Sequence, residues 1–391
     1  MDSASVINWD LAVDVAGRLA GPGPRLSAAE VREEVAQLRH SAQQAVGHVH
    51  QITGIAAAEG LGADSEDTLV VDRRKWVQAN VAGFKRLLRP ALEAVLRKRP
   101  DALREGSTSQ VLGSAVTGSE LGAVLSFLSA NVLGQFEPFG SRESSDANGK
   151  LLLVAPNIVR VQRELNVIPA DFKLWVCLHE QTHRVQFAAA PWLPEHLEEQ
   201  IERLSTSTLG ATEQLPERLA EAFKQLAQEM GAKRKGAKDD DSQRPSRARL
   251  LELVQSPEDR AVLSHLTAVM SVLEGHANVV MDAVDSSIVP SVKTIRRRFE
   301  ARGQDRSVIE RWVRRLLQLD LKAKQYRDGQ RFVGHIVEAV GMEQFNVIWE
   351  SPQNFPSEEE LHDPDQWIRR LGLDAGGAEA AGPDATAHGD G

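Results

Sequence analysis

Trp175-Val176-Cys177-Leu178-His179-Glu180-Gln181-Thr182-His183-Arg184-Val185-Gln186-Phe187 is the stretch on which the reading of this chain turns. On an α-helix, residues four apart share a face, so His179 and His183 can aim both imidazoles at one metal ion. Glu180, one step round, then faces a water on that ion. This H-E-x-x-H pattern points to a zinc site with an acid–base carboxylate beside it. Trp175, Val176, Leu178, His179, Thr182, His183, Gln186 and Phe187 recur at helical spacing, which places the motif on a helix. Pro169-Ala170-Asp171 supplies the proline and the acid suited to its first turn. Both imidazoles fall among bulky apolar neighbours, where a polar group needs a partner or a metal.

A catalytic zinc takes three protein ligands, so a third is expected elsewhere. Glu274 is the best candidate. Ser256-Pro257-Glu258-Asp259 reads as a helix start with a capping serine, and the helix then runs long. Leu263, Leu266, Met270, Leu273, Ala277, Val280, Met281 and Val284 mark its apolar stripe, and Glu274 falls among them. A carboxylate there is costly unless a cation receives it. Asn278, one turn on, is placed to hydrogen-bond a ligand. His276 projects about 200° away from Glu274 on an ideal helix, and stands as the alternative third ligand.

Together these residues resemble the zincin-like metallopeptidases of the gluzincin type, in which H-E-x-x-H on one helix is completed by a Glu on a later one. A closer likeness runs through VDRRKWVQAN (71–80), LLLVAPNI (151–158), WVCLHEQTHRVQF (175–187), EGHANVVMD (274–282) and QYRDGQRFV (325–333). These segments are similar to a zincin-like hydrolase family of high-GC bacteria that is linked by name to deazaflavin coenzyme biosynthesis. That name implies a gene association rather than a reaction. The resemblance implies a mainly α fold with a small β-sheet (α+β), His179 and His183 as zinc ligands and Glu180 as catalytic base. In one respect the chain departs from the pattern: Glu274 follows His183 by 91 positions, where short-spaced gluzincins have roughly twenty. The resemblance also places Leu151 to Val154 as the strand edge beside the active-site helix, where an extended peptide pairs in zincins.

The function implied is a zinc-dependent hydrolase, a metallopeptidase or amidase, with Glu180 taking a proton from water and returning it to the leaving amine. A second donor for the tetrahedral oxyanion is expected, and Tyr326, the one tyrosine, near a helix stop at Gly329, is the candidate. A non-catalytic zincin-like scaffold that binds a partner is the alternative, and a metal-free helical interaction protein is a third reading. His196, His265 and His335 read as structural.

The expected substrate is a peptide or small amide-containing molecule. A net charge of −9 argues against nucleic acid or an anionic membrane as partner. The basic runs Arg296-Arg297-Arg298 and Arg311 to Arg315 read as solvated helix faces. The single cysteine, Cys177, excludes an internal disulfide and reads as a core thiol in a reducing compartment. Met1 to Ser5 shows no export signal, and the apolar stretch Leu121 to Phe136 carries polar residues at helical spacing, as in a buried helix. A cytoplasmic bacterial enzyme is the expectation, and oligomeric state is left open.

Helical patterning covers Ala28–Val46, Arg73–Lys98, Ser119–Leu133, Ala170–Ala189, Glu195–Ser205, Glu217–Met230, Pro257–Ala283, Ser307–Arg327 and Gln330–Val340. Strands are expected at Thr68–Val71 and Lys150–Val154, the latter closed by Ala155-Pro156-Asn157. An amino-terminal lobe, 1–190, would end in the active-site helix. A helical lobe, 191–374, would carry the third ligand, with a mobile loop at 231–246 and a disordered tail at 375–391.

Overall fold

The computed structural model describes residues 7–61, 67–98, 108–139, 149–210, 257–301 and 325–373. Twelve α-helices and three strands follow one another in these segments: α1 (Trp9–Ala20), α2 (Ala28–Thr53), β1 (Thr68–Val71), α3 (Arg73–Lys98), α4 (Thr108–Ser129), β2 (Gly134–Glu137), β3 (Lys150–Val154), α5 (Ala155–Leu165), α6 (Pro169–Ala189), α7 (Leu193–Gly210), α8 (Pro257–Ala283), α9 (Val292–Ala301), α10 (Gln325–Phe345), α11 (Glu358–His362) and α12 (Pro364–Leu371). The fold is mainly α with a small sheet, as expected. The helix read at Glu217–Met230, most of that at Ser307–Arg327, the cap at Ser256, the loop at 231–246 and the tail at 375–391 lie outside the described residues.

The sheet is ordered β1-β3-β2, with β1 parallel and β2 antiparallel to the central strand. Thr68 pairs with Leu151 and Gly134 with Leu153. Strand side chains alternate between faces, and β3 uses both. Leu153 enters the larger apolar cluster, with α2, α5, α6, α8 and α10, while Leu152 and Val154 enter a second with α1, α3 and α4. The larger cluster draws on residues from both sides of position 190, so the two lobes read from the sequence share one apolar core.

Three local readings are corrected. The apolar stretch Leu121 to Phe136 is not one helix: α4 stops at Ser129, and Gly134 to Glu137 form β2. Ala155-Pro156-Asn157 does not turn away from the strand but begins α5, because proline suits a first helical turn. There the Asn157 side chain donates to the carbonyls of Ser129 (2.7 Å) and Val132 (2.6 Å), which holds the end of α4 against the sheet. Leu151 to Val154 is not an edge, since β3 is paired on both sides; the strand end beside α6 belongs to β2.

Gly329 is not a helix stop either. It lies inside α10, and a Cβ there would sit 2.1 Å from the carbonyl oxygen of Ser271 on α8. Its neighbour across the crossing is Gly275, whose Cβ would meet Gly329 backbone at 2.4 Å. The two glycines let the helices approach backbone to backbone, one residue from Glu274. The break in α10 comes at Gly341, with φ +86°. Among the described residues no helix is long and apolar enough to cross a membrane.

Candidate metal centre

The helix α6 is buried on almost every side, so its polar residues must be satisfied within the protein. Lys173, fully buried, reaches Glu34 Oε2 at 2.6 Å on α2. Gln181 donates to the Ala42 carbonyl (2.9 Å), Thr182 to that of Leu178 (2.8 Å), and Arg184 to Asp67 (3.0 Å). Phe187 packs on Phe136 of β2, ring centres 5.1 Å apart. The contacts to Glu34, Ala42, Asp67 and Phe136 hold the helix against rotation and aim its remaining face at α8.

On that face, His179, His183 and Glu274 come together with one potential ligand atom each, all within 4.8 Å of one another. His179 Nε2 lies 4.0 Å from Glu274 Oε2, and His183 Nε2 lies 3.8 Å from Oε1. These separations are too long for hydrogen bonds. Donors sharing one tetrahedral zinc, with bonds of about 2.0–2.1 Å, stand roughly 3.3 Å apart, so small side-chain rotations suffice to bring the three onto one ion. The imidazole rings stand edge to face, 4.9 Å between centres and 88° between planes. Exposure is graded across the set. The His179 side chain keeps 22% of its surface open and His183 15%, against 9% for Glu274, so the cluster is reached from the imidazole side.

Electrostatics favour the ligating forms. Burial, then the neighbouring His183, push His179 down to about 3, so its ring is neutral and offers a lone pair. Burial, then the Glu274 carboxylate, push Glu180 up to about 8. A carboxyl poised near neutral pH is suited to taking and returning a proton. The residues present therefore fit a divalent cation with nitrogen and oxygen ligands, and zinc best among the common ones.

The alternative ligand, His276, is fully buried on another side of α8. Its Nδ1 faces the Gln186 side-chain amide at 2.9 Å, and the metal cluster does not include it. Asn278 makes no hydrogen bond to the three candidate ligands. That supporting position falls to Gln186, whose Oε1 lies 2.9 Å from His183 Nδ1. The sequence held a signal for it: a polar residue three positions after His183 on a helix with little solvent to face. The side chain of Tyr326, in the first turn of α10, lies outside the described residues. His196 and His265 face each other at 2.7 Å between α7 and α8, and His335 pairs with Asp365 at 2.8 Å. Cys177 is fully buried near the Leu38 carbonyl, and burial pushes its thiol up.

A further residue escaped the sequence reading. Gly134, at the start of β2, lies against Glu180: a Cβ there would stand 2.6 Å from Glu180 Cγ and 2.7 Å from Cδ. The missing side chain makes the room in which the carboxyl sits. Gly134→Ala is expected to turn Glu180 aside and cut activity by about a hundredfold, the scale of an ångström-sized misplacement. Bound metal should stay at the wild-type level, and loss of metal instead would show that Gly134 shapes the ligand cluster.

A family model for zincin-like metallopeptidases matches residues 7–368. Among solved structures, the chain is similar to a crystallised protein from Chloroflexus aurantiacus described as a "putative hydrolase with a novel fold", at 29% identity and a TM-score of 0.63, over 94% of this chain and 99% of that one. No curated protein matches it. With two histidines and a glutamate converging from α6 and α8, and the family pattern running through nearly all of its length, this chain belongs to the zincin-like metallopeptidases.

Proposed function

We propose that the protein is a zinc-dependent hydrolase cleaving a peptide or other amide bond, with His179, His183 and Glu274 holding the metal and Glu180 as general base. The observation that carries this reading is the convergence of those three side chains beside a buried carboxyl that is not one of them. Zinc in this position would supply a Lewis acid that polarises a carbonyl and acidifies a water. Glu180 accepts the proton of the attacking water and delivers it to the leaving amine. Burial of Glu180 keeps bulk water from competing for that proton. Gly134 leaves the carboxyl its room against β2, and β2 offers an extended substrate a strand to lie beside. The Tyr326 phenol is proposed as the oxyanion donor, from the sequence.

The site stands on a chain of net charge −9, which supports a peptide or small amide substrate over a polyanion.

Elemental analysis of purified, chelator-washed protein after zinc is restored tests the metal assignment. About one zinc per chain is expected, lost in His179→Ala and Glu274→Gln and kept in His276→Ala. Chelator should lower the melting temperature of the wild type and leave the first two variants unmoved, because ligands that bind only the folded state stabilise it. A wild type that takes up no zinc when it is offered would sink the hydrolase reading.

A further inference from the structure

The fully buried side chain of Gln186 spans from the metal-site helix to the helix that carries Glu274. One end of its amide is 2.9 Å from His183 Nδ1; the other is 2.8 Å from the Leu273 carbonyl oxygen and 2.9 Å from His276 Nδ1. An amide's oxygen and nitrogen can be exchanged without changing its shape, so the neighbours must decide which is which. Leu273 O decides, since a carbonyl only accepts. The end facing it is the NH2 group, and the end facing His183 is the oxygen. His183 must therefore donate from Nδ1, which leaves the lone pair on Nε2, the nitrogen that looks toward Glu274.

The second N–H of the amide points at His276 Nδ1, which must accept. His276 therefore carries its proton on Nε2, the opposite tautomer to His183. A cationic His276 would set two donors against each other. The ring is fully buried, stacked on Phe345 at 5.5 Å and edge-on to Trp349 at 5.2 Å, and its Nε2 has no hydrogen-bond partner among the described residues. An aromatic hydrocarbon would fill the same space without that orphan donor. What a hydrocarbon lacks is an acceptor for the amide.

We propose that Gln186 is a positioning residue which sets the tautomer of His183 and ties that ring to the backbone immediately before Glu274, with His276 fixing the sense of the Gln186 amide. Two ligands from separate helices are thereby held in register by one side chain. Metal-bound histidines are generally oriented by a partner on their other nitrogen, and losing such a partner costs about 10- to 100-fold in metal affinity. Here the partner is shared between both ligand-bearing helices. The proposal rests on the metal-site reading above, and its tests separate the two.

The first test uses the wild-type chain, with histidine labelled by nitrogen-15, in chelator at pH 8. Imidazole nitrogen–proton correlation spectra are expected to show His183 protonated on Nδ1 and His276 on Nε2, assigned from His183→Ala and His276→Phe. Equal tautomers, or the reverse pair, would overturn the proposal whatever the protein's activity. The second compares zinc affinity by competition with a chelating dye, and the visible spectrum of the cobalt form, in Gln186→Met, Gln186→Glu and His276→Phe. Gln186→Met, which keeps the shape and loses every hydrogen bond, should bind about 10- to 100-fold more weakly with an altered cobalt spectrum. Gln186→Glu restores the acceptor for His183 and should recover part of the loss. A merely structural Gln186 would change the unfolding midpoint in chelator and leave affinity and spectrum alone. One zinc per chain in the wild type with unchanged affinity in Gln186→Met sinks this proposal and spares the metal site; no zinc in the wild type sinks both.

Discussion

Glu180→Gln is expected to lower hydrolysis by about a hundred- to ten-thousandfold while leaving one zinc per chain, the range over which a positioned general base acts. Glu180 lies on the motif helix but outside the His179, His183 and Glu274 cluster, so the amide should remove the proton acceptor and spare the ligands. Its size is unchanged, so the space opposite Gly134 stays filled. Zinc content measured beside turnover on any amide substrate found by screening checks the split. Loss of metal along with activity would make Glu180 a ligand and undo the assignment of base and cluster.

The same substitution should raise stability in chelator, and the sign follows from the direction of the shift. Burial and the Glu274 carboxylate raise Glu180 from 4.5 to about 8 in the folded protein. Between those values the folded chain holds a proton that the unfolded chain has released, so this group's contribution to stability falls as pH rises through that window. An amide at position 180 has no such dependence. In chelator, Glu180→Gln should therefore gain on the wild type steadily from about pH 4.5 to about 8, and level off above. A functional carboxyl held in an apolar site at the expense of stability is a common trade. Parallel pH curves for the two proteins would mean that Glu180 is solvated and not poised.

The cluster of His179, His183 and Glu274 was legible because each of its members carries a local signal. Two imidazoles one turn apart need only a helix to bring them together, and Glu274 announced itself as a carboxylate inside an apolar stripe. The strands Thr68–Val71 and Lys150–Val154 and the helices Arg73–Lys98 and Pro257–Ala283 were readable to their ends for a similar reason, since their periodicity and flanking residues agree. Tertiary contact hid the rest. Gly134 to Glu137 is too short to show a period against the apolar run before it, and only pairing with β3 makes it a strand. Pro156 reads equally as a turn or a helix start, and the carbonyls of Ser129 and Val132 that receive the Asn157 side chain are remote in sequence. Gln186 and His276 acquire roles only once α6 and α8 are side by side. Gly329 was misread because a glycine late in a helical pattern signals a stop unless another backbone is known to lie against it.

That last contact gives the second large effect. Gly329→Ala is expected to destabilise the protein by about 1–3 kcal/mol, the cost of overpacking a close-packed interior. The atoms in the way are the Ser271 carbonyl at 2.1 Å and its carbon at 2.7 Å, which belong to the α8 backbone and cannot rotate aside as a side chain would. Helix propensity pulls the other way, since alanine is favoured over glycine in a helix by about 1 kcal/mol. Gly334, on the same helix with nothing within 4 Å of its would-be Cβ, isolates that term. Gly334→Ala should gain stability while Gly329→Ala loses it, both measured by urea unfolding in chelator. The loss should extend to the metal. Gly275, the other half of the crossing, adjoins Glu274, so separating α8 from α10 shifts the third ligand relative to α6, and zinc affinity in Gly329→Ala should fall with stability. If Gly329→Ala proves as stable as Gly334→Ala, the two helices do not meet backbone to backbone, and this support for the position of Glu274 is lost.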